Sequence, residues 1–146
     1  MSERPRQIYA VDFDGTLART RWPDILGENT EVIEFVRRLM ARGDQWILWT
    51  NREGEHLEEA LAWLEERGLV PDAVNDNLPE LKRQFGNNPR KPFANFYIDD
   101  HNAGGLRLPS DEETAPGAGQ EKKAGLSSDV VALEILKVAR MLVDSL

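Results

Sequence analysis

The segment Tyr9–Leu17 reads YAVDFDGTL: an apolar run stops at two aspartates held one residue apart, followed at once by glycine and threonine. With Gln7 and Ile8 in front, the β-branched and aromatic residues before Asp12 predict a buried strand that ends at that aspartate. Alternation along extended chain sets Asp12 and Asp14 on one side, about 6–7 Å apart between Cα atoms. Like charges that close repel unless a cation lies between them or one of them carries a proton. Gly15 permits close backbone approach and Thr16 adds a hydroxyl. The stretch therefore has the makings of a metal-assisted anion site at the end of a core strand.

Working outward, a polar loop containing Trp22, Pro23, Gly27 and Asn29 separates this strand from a helical pattern. Val32, Phe35, Val36, Leu39 and Met40 carry the helical spacing, Thr30 is the expected N-cap and Gly43 the stop. The stretch QWILWT predicts a second buried strand ending at Thr50. Glu53 to Arg67 reads as a helix with Leu57, Leu61 and Leu64 on one face, closed by Gly68. Asp72 to Val74 is a weaker strand, LPELKRQF a short helix opened by Pro79, and FANFYI a further strand that runs into Asp99 and Asp100. Strands alternating with helices imply βαβ units with right-handed crossovers: an α/β, Rossmann-like three-layer sandwich with a mostly parallel sheet. In such sheets ligands bind beyond the carboxyl ends of the strands. The expected strand ends here are Asp12, Thr50 and the Asp99–Asp100 pair.

Past Ala103 the composition shifts to Gly, Pro, Ser, Glu and Lys without an apolar period. We divide the chain into a catalytic core at 1–105, a flexible linker at 106–126 and an amphipathic helix at 127–146. That helix carries Val131, Ile135, Val138 and Leu142 as a stripe suited to the sheet or to another subunit, hence to a homo-oligomer. At 146 residues the chain is sized for one core, and 40% apolar with 30% charged residues fits a folded protein. The absence of cysteine excludes disulfides, zinc-thiolate sites and thiol nucleophiles. No stretch approaches the roughly 18 apolar residues of a membrane span, and Met1 to Gln7 lacks a signal-peptide core, so a cytoplasmic location is expected. A net charge of −8 disfavours nucleic-acid backbones and anionic membranes as partners.

DFDGT resembles the first motif of the haloacid dehalogenase superfamily of phosphotransferases. Thr50 in WILWTNR resembles that family's second motif, and Asp99 and Asp100 in FYIDDHN its fourth; the likeness covers roughly Ile8 to Gly105. The spacing is similar to small capless phosphatases, since neither interval between motifs has room for a cap domain. The resemblance implies a Mg²⁺-dependent phosphomonoester hydrolase acting on a small phosphorylated metabolite or nucleotide. By the same resemblance Asp12 is the nucleophile and Asp14 the acid and base, its carbonyl helping to hold Mg²⁺ with Asp12 and Asp100. Thr50 and the backbone N–H groups of Asn51 and Asp14 hold the phosphoryl oxygens, with Asp99 beside the metal. For the family's third-motif lysine the sequence offers Lys91, eight residues before Asp99, ahead of Lys82 in a predicted first helical turn.

Gly15, Thr16, Asn51 and Arg52 are the candidate substrate contacts, although Asn51 and Arg52 serve equally well to begin the second helix. His101, standing where many relatives carry arginine, is either a loop residue or a substrate contact. Trp22 in the flap is a further candidate, whereas Trp46, Trp49 and Trp63 suit the core. Two rival functions share these residues: removal of terminal phosphates from nucleic acid or protein, and a non-catalytic phosphate-binding or oligomeric scaffold.

Overall fold

Period-two burial along the strands decides how the layers form. In the computed structural model, which describes residues 6–115, the strands β1 (Ile8–Val11), β4 (Gln45–Leu48), β5 (Ala73–Val74) and β6 (Phe96–Ile98) form one parallel sheet in the order β5-β4-β1-β6. Tyr9, Val11, Trp46, Leu48, Phe96 and Ile98 pack together on one face, with Val32, Ile33, Phe35, Val36 and Leu39 of α1 (Thr30–Ala41) and Ala60 and Leu64 of α2 (Gly54–Glu66). The intervening residues Ile8, Ala10, Ile47, Ala73 and Tyr97 meet Leu78, Leu81 and Ala94 around α3 (Pro79–Phe85) on the other face. The result is the expected three-layer, Rossmann-like α/β arrangement. Each fully buried Leu or Phe contributes about 1.5–3 kcal/mol of transfer free energy to it.

The sheet order sets the switch point. From β1 the chain moves outward through β4 to β5, then crosses back to place β6 on the other side of β1. The carboxyl ends of β1 and β6 therefore flank the crevice where an open α/β sheet binds its ligand. Asp12 N–H donates to the Ile98 carbonyl at 2.9 Å and holds the two ends in step.

Three local expectations are corrected. The polar loop after Leu17 is an antiparallel hairpin, β2 (Ala18–Arg21) with β3 (Asp24–Glu28), turning at a cis Trp22–Pro23 peptide. Its strands bury only alternate residues weakly, so their period was hidden among charges. Asn29, not Thr30, occupies the N-cap of α1, and its side chain makes no cap hydrogen bond. The second core strand stops at Leu48 rather than Thr50, because the Thr50 N–H leaves the ladder for Asn75 Oδ1 at 2.7 Å.

The described residues fall into two units, one at 6–108 and one that holds 109–115. Within the second, Ser110 and Glu113 bond reciprocally, backbone N–H to side-chain oxygen, at 2.8 and 3.2 Å. The expected helix at 127–146, its proposed oligomer contact and most of the expected linker lie outside the described residues. Among the described residues no helix is long and apolar enough to cross a membrane.

Candidate active site

The turn that follows β1 builds the site. Phe13 points into the core, and its carbonyl accepts the N–H groups of Thr16 and Ala18 at 3.2 and 3.1 Å, which folds the chain back over the strand end. Gly15 adopts φ 78°, and a Cβ there would lie 2.4 Å from Asp100 Oδ2. The absence of a side chain is what lets the Asp100 carboxylate pack onto this turn. Thr16 is fully buried; its hydroxyl lies 3.1 Å from Asp12 Oδ2 and 3.4 Å from Asp100 Oδ1, and accepts the Asp100 N–H at 3.1 Å. Thr16 is thus committed to aligning two carboxylates, not to contacting substrate as the sequence suggests.

Asp12, Asp99, Asp100 and His101 each present a donor atom within 4.8 Å of the others. Burial, and then the neighbouring Asp99 charge, push the Asp12 carboxyl up to about 8. That shift comes from burial first and from charge second, and three carboxylates within reach of one point suit a hard divalent cation that prefers oxygen ligands. The donor set could hold such an ion. His101 lies largely in solvent, with Nδ1 3.3 Å from Asp100 Oδ1 and 3.7 Å from Asp99 Oδ1.

A cleft of about 290 Å³ opens over this cluster. Asp12, Asp14 and Asp99 line its acidic wall, and Thr50 and Asn51 enter from the end of β4. Trp22, Trp49 and His101 complete the rim. Thr50 Oγ1 accepts the Arg52 N–H at 3.1 Å, so this cleft-lining residue also shapes the turn into α2.

Arg52 was expected to contact substrate, but its guanidinium is spent on the protein. At 1% exposure it grips Asp14 through Nε–Oδ2 at 2.9 Å and Nη2–Oδ1 at 2.8 Å. Nη1 donates to the His56 carbonyl at 3.1 Å and Nη2 to the Pro23 carbonyl at 3.0 Å. The guanidinium also lies over the rings of Phe13 and Trp22, at 5.0 and 4.9 Å from their centroids. One buried cation thereby ties together the Asp14 turn, the hairpin tip and the start of α2. Asp14 keeps a side chain 28% exposed and lines the cleft.

Neither candidate lysine lines the cleft. Lys91 sits with Nζ 5.1 Å from the Tyr97 ring centroid, on the sheet face opposite α1, where Tyr97 in turn donates its hydroxyl to the Pro92 carbonyl at 2.7 Å. Lys82 pairs with Asp76 at 2.8 Å, and both lysines border a separate small apolar cavity beside Phe85 and Phe93. Asn77 organises that loop through Asn88, the Pro89 carbonyl and the Phe93 N–H.

The structure thus brings together Asp12, Asp14, Gly15, Thr16, Thr50, Asn51, Asp99 and Asp100, and leaves Lys91 outside. Sequence reasoning missed the Arg52–Asp14 fork and the position of His101 at the carboxylates. The available signal was an arginine two residues past Thr50, close enough in sequence to the expected site to face its acidic turn.

No family model matches the chain, and no curated protein matches it. Among solved structures it is similar to a conserved protein coded by a locus of Bacteroides thetaiotaomicron, at 40% identity and a TM-score of 0.63. The likeness covers 71% of this chain and 84% of that one.

Proposed function

The chain belongs to the same family as the conserved Bacteroides thetaiotaomicron protein, and from its own residues we propose that it is a capless phosphomonoester hydrolase of the haloacid dehalogenase kind, dependent on Mg²⁺. The observation that carries this reading is the convergence of Asp12, Asp14 and Thr50 on one cleft beside the Asp99–Asp100 pair, at the switch point of a parallel sheet.

Asp12 and Asp100 would hold the metal with the Asp14 carbonyl, and the Asp99 carboxylate lies within reach of the same point. When bound, Mg²⁺ supplies positive charge that favours ionised Asp12 and offsets the repulsion between this carboxylate and a phosphate dianion. Asp12 attacks phosphorus through a carboxylate oxygen as the ester P–O bond breaks, giving an aspartyl-phosphate. The leaving oxygen takes a proton from Asp14. In the second half Asp14 accepts a proton from the attacking water, the acyl phosphate bond breaks, and inorganic phosphate departs with Asp12 restored. Both Asp14 oxygens engage Arg52, so the transferred proton sits on a lone pair turned away from the fork. Thr50 and the N–H of Asn51 are the donors available to the phosphoryl oxygens.

The test is phosphate release from an aryl phosphate with Mg²⁺, for the wild type and Asp12→Asn. Loss of turnover on substitution is expected. Full activity in Asp12→Asn would rule out the nucleophile assigned here.

A further inference from the structure

The rim of the cleft carries a feature that phosphate chemistry does not use. Trp22, at the hairpin tip, is 60% exposed although it borders the same cleft as Asp12 and Asp14. An indole left this open gains little from the fold, yet its orientation is fixed. The buried Arg52 guanidinium lies 4.9 Å from its centroid, the Pro23 carbonyl is tied to the same guanidinium at 3.0 Å, and His56 meets the ring edgewise at 5.2 Å. These contacts hold the indole in place and leave most of it free. Trp49, anchored below by the second core cluster, presents a further indole to the cleft.

An indole braced at the rim of an acidic cleft of about 290 Å³ suits a ligand with a planar ring on its leaving group. We propose that Trp22 is the platform on which a nucleobase stacks, so that the substrate is a phosphate ester of a nucleoside, either free or at the end of a nucleic-acid strand. This rests on the phosphatase reading for the ester and on Trp22 alone for the ring. A planar base needs no hydrogen-bond complement to stack, which fits a rim of two indoles and one exposed imidazole.

The experiment compares wild type, Trp22→Ala and Trp22→Phe on adenosine 5′-monophosphate, a 5′-phosphorylated oligonucleotide and glycerol phosphate. Calorimetric binding of adenosine 5′-monophosphate is measured alongside. Trp22→Ala is expected to lower the ratio of kcat/KM for the nucleotide over glycerol phosphate by about 5- to 150-fold, the span of base–aromatic stacking, with most of it regained in Trp22→Phe. Trp22-dependent preference for the oligonucleotide or for the free nucleotide supports the platform and tells which source the site takes. An equal fall on the nucleotide and glycerol phosphate overturns it, since Trp22 would then act only through Arg52. If no ester turns over but nucleotide binding still weakens in Trp22→Ala, the platform stands and the hydrolase reading falls. If all esters turn over and the ratio is unmoved, the platform falls and the hydrolase reading stands.

Discussion

Arg52 grips Asp14 with a two-pronged fork, Nε to Oδ2 at 2.9 Å and Nη2 to Oδ1 at 2.8 Å, from a position almost wholly inside the protein. Removing one member of such a pair strands the other, at a cost of about 3–5 kcal/mol where both are buried. Asp14 is partly open to solvent, so Arg52→Ala should fall at the lower end, read as a drop in Tm. Arg52→Lys keeps the charge without the planar fork and should melt closer to wild type, yet lose on the order of 10-fold or more in kcat, because Asp14 is no longer aligned. Equal kcat in Arg52→Lys and wild type would reduce the fork to a purely structural pair.

Gly15→Ala tests the packing of the carboxylates. Its Cβ would intrude on Asp100 in a backbone conformation that side chains rarely adopt. Overpacking of this kind costs about 1–3 kcal/mol, and displacement of Asp100 should weaken Mg²⁺ binding, measured by calorimetry without substrate. Unchanged Mg²⁺ affinity would separate Asp100 from the metal.

Asp12 sets the pH dependence. Its carboxyl titrates at about 8 in the fold, raised first by burial and then by Asp99, against the ordinary carboxylate range when unfolded. Between those values the folded chain binds the proton more tightly, so the metal-free protein holds this contribution at acid pH and loses it as pH rises through about 8. Melting of the metal-free protein should therefore show a fall across this window that Asp12→Asn lacks. Added Mg²⁺ should raise Tm more near pH 8 than near pH 5, since acid pH favours the protonated carboxyl. Parallel curves for wild type and Asp12→Asn would count against the assignment.

Lys91 provides a sharp comparison between chain order and geometry. Its ammonium sits over Tyr97 and outside the cleft. Lys91→Met should leave kcat/KM on an aryl phosphate within about threefold, the scale of a contact away from the reacting atoms. A loss of several orders of magnitude would mean that the lysine swings to the phosphate during turnover.

The buried strands were legible because a parallel sheet covered on both faces writes itself as short apolar runs, as in IYAV and QWIL. Asp12, Thr50 and Asp99 were legible for the same reason: each stands where such a run stops. The hairpin was not, since ARTR and DILGE are short and largely open to solvent and carry too little apolar alternation to stand out. Arg52 was recognisable as a candidate, but its partner was not. A guanidinium near a phosphate site reads as an anion contact until the fold shows that Asp14 and the hairpin tip already use its donors.

The hairpin leaves and rejoins the core at nearly one point, where Asn29 N–H meets the Leu17 carbonyl at 3.0 Å. Its length is therefore independent of the register of the sheet, but its tip is not independent of the site: the Pro23 carbonyl and the Trp22 ring both meet the guanidinium that holds Asp14. The hairpin is thus an exchangeable jaw only in its flanks, and any replacement must return to the same grip on Arg52.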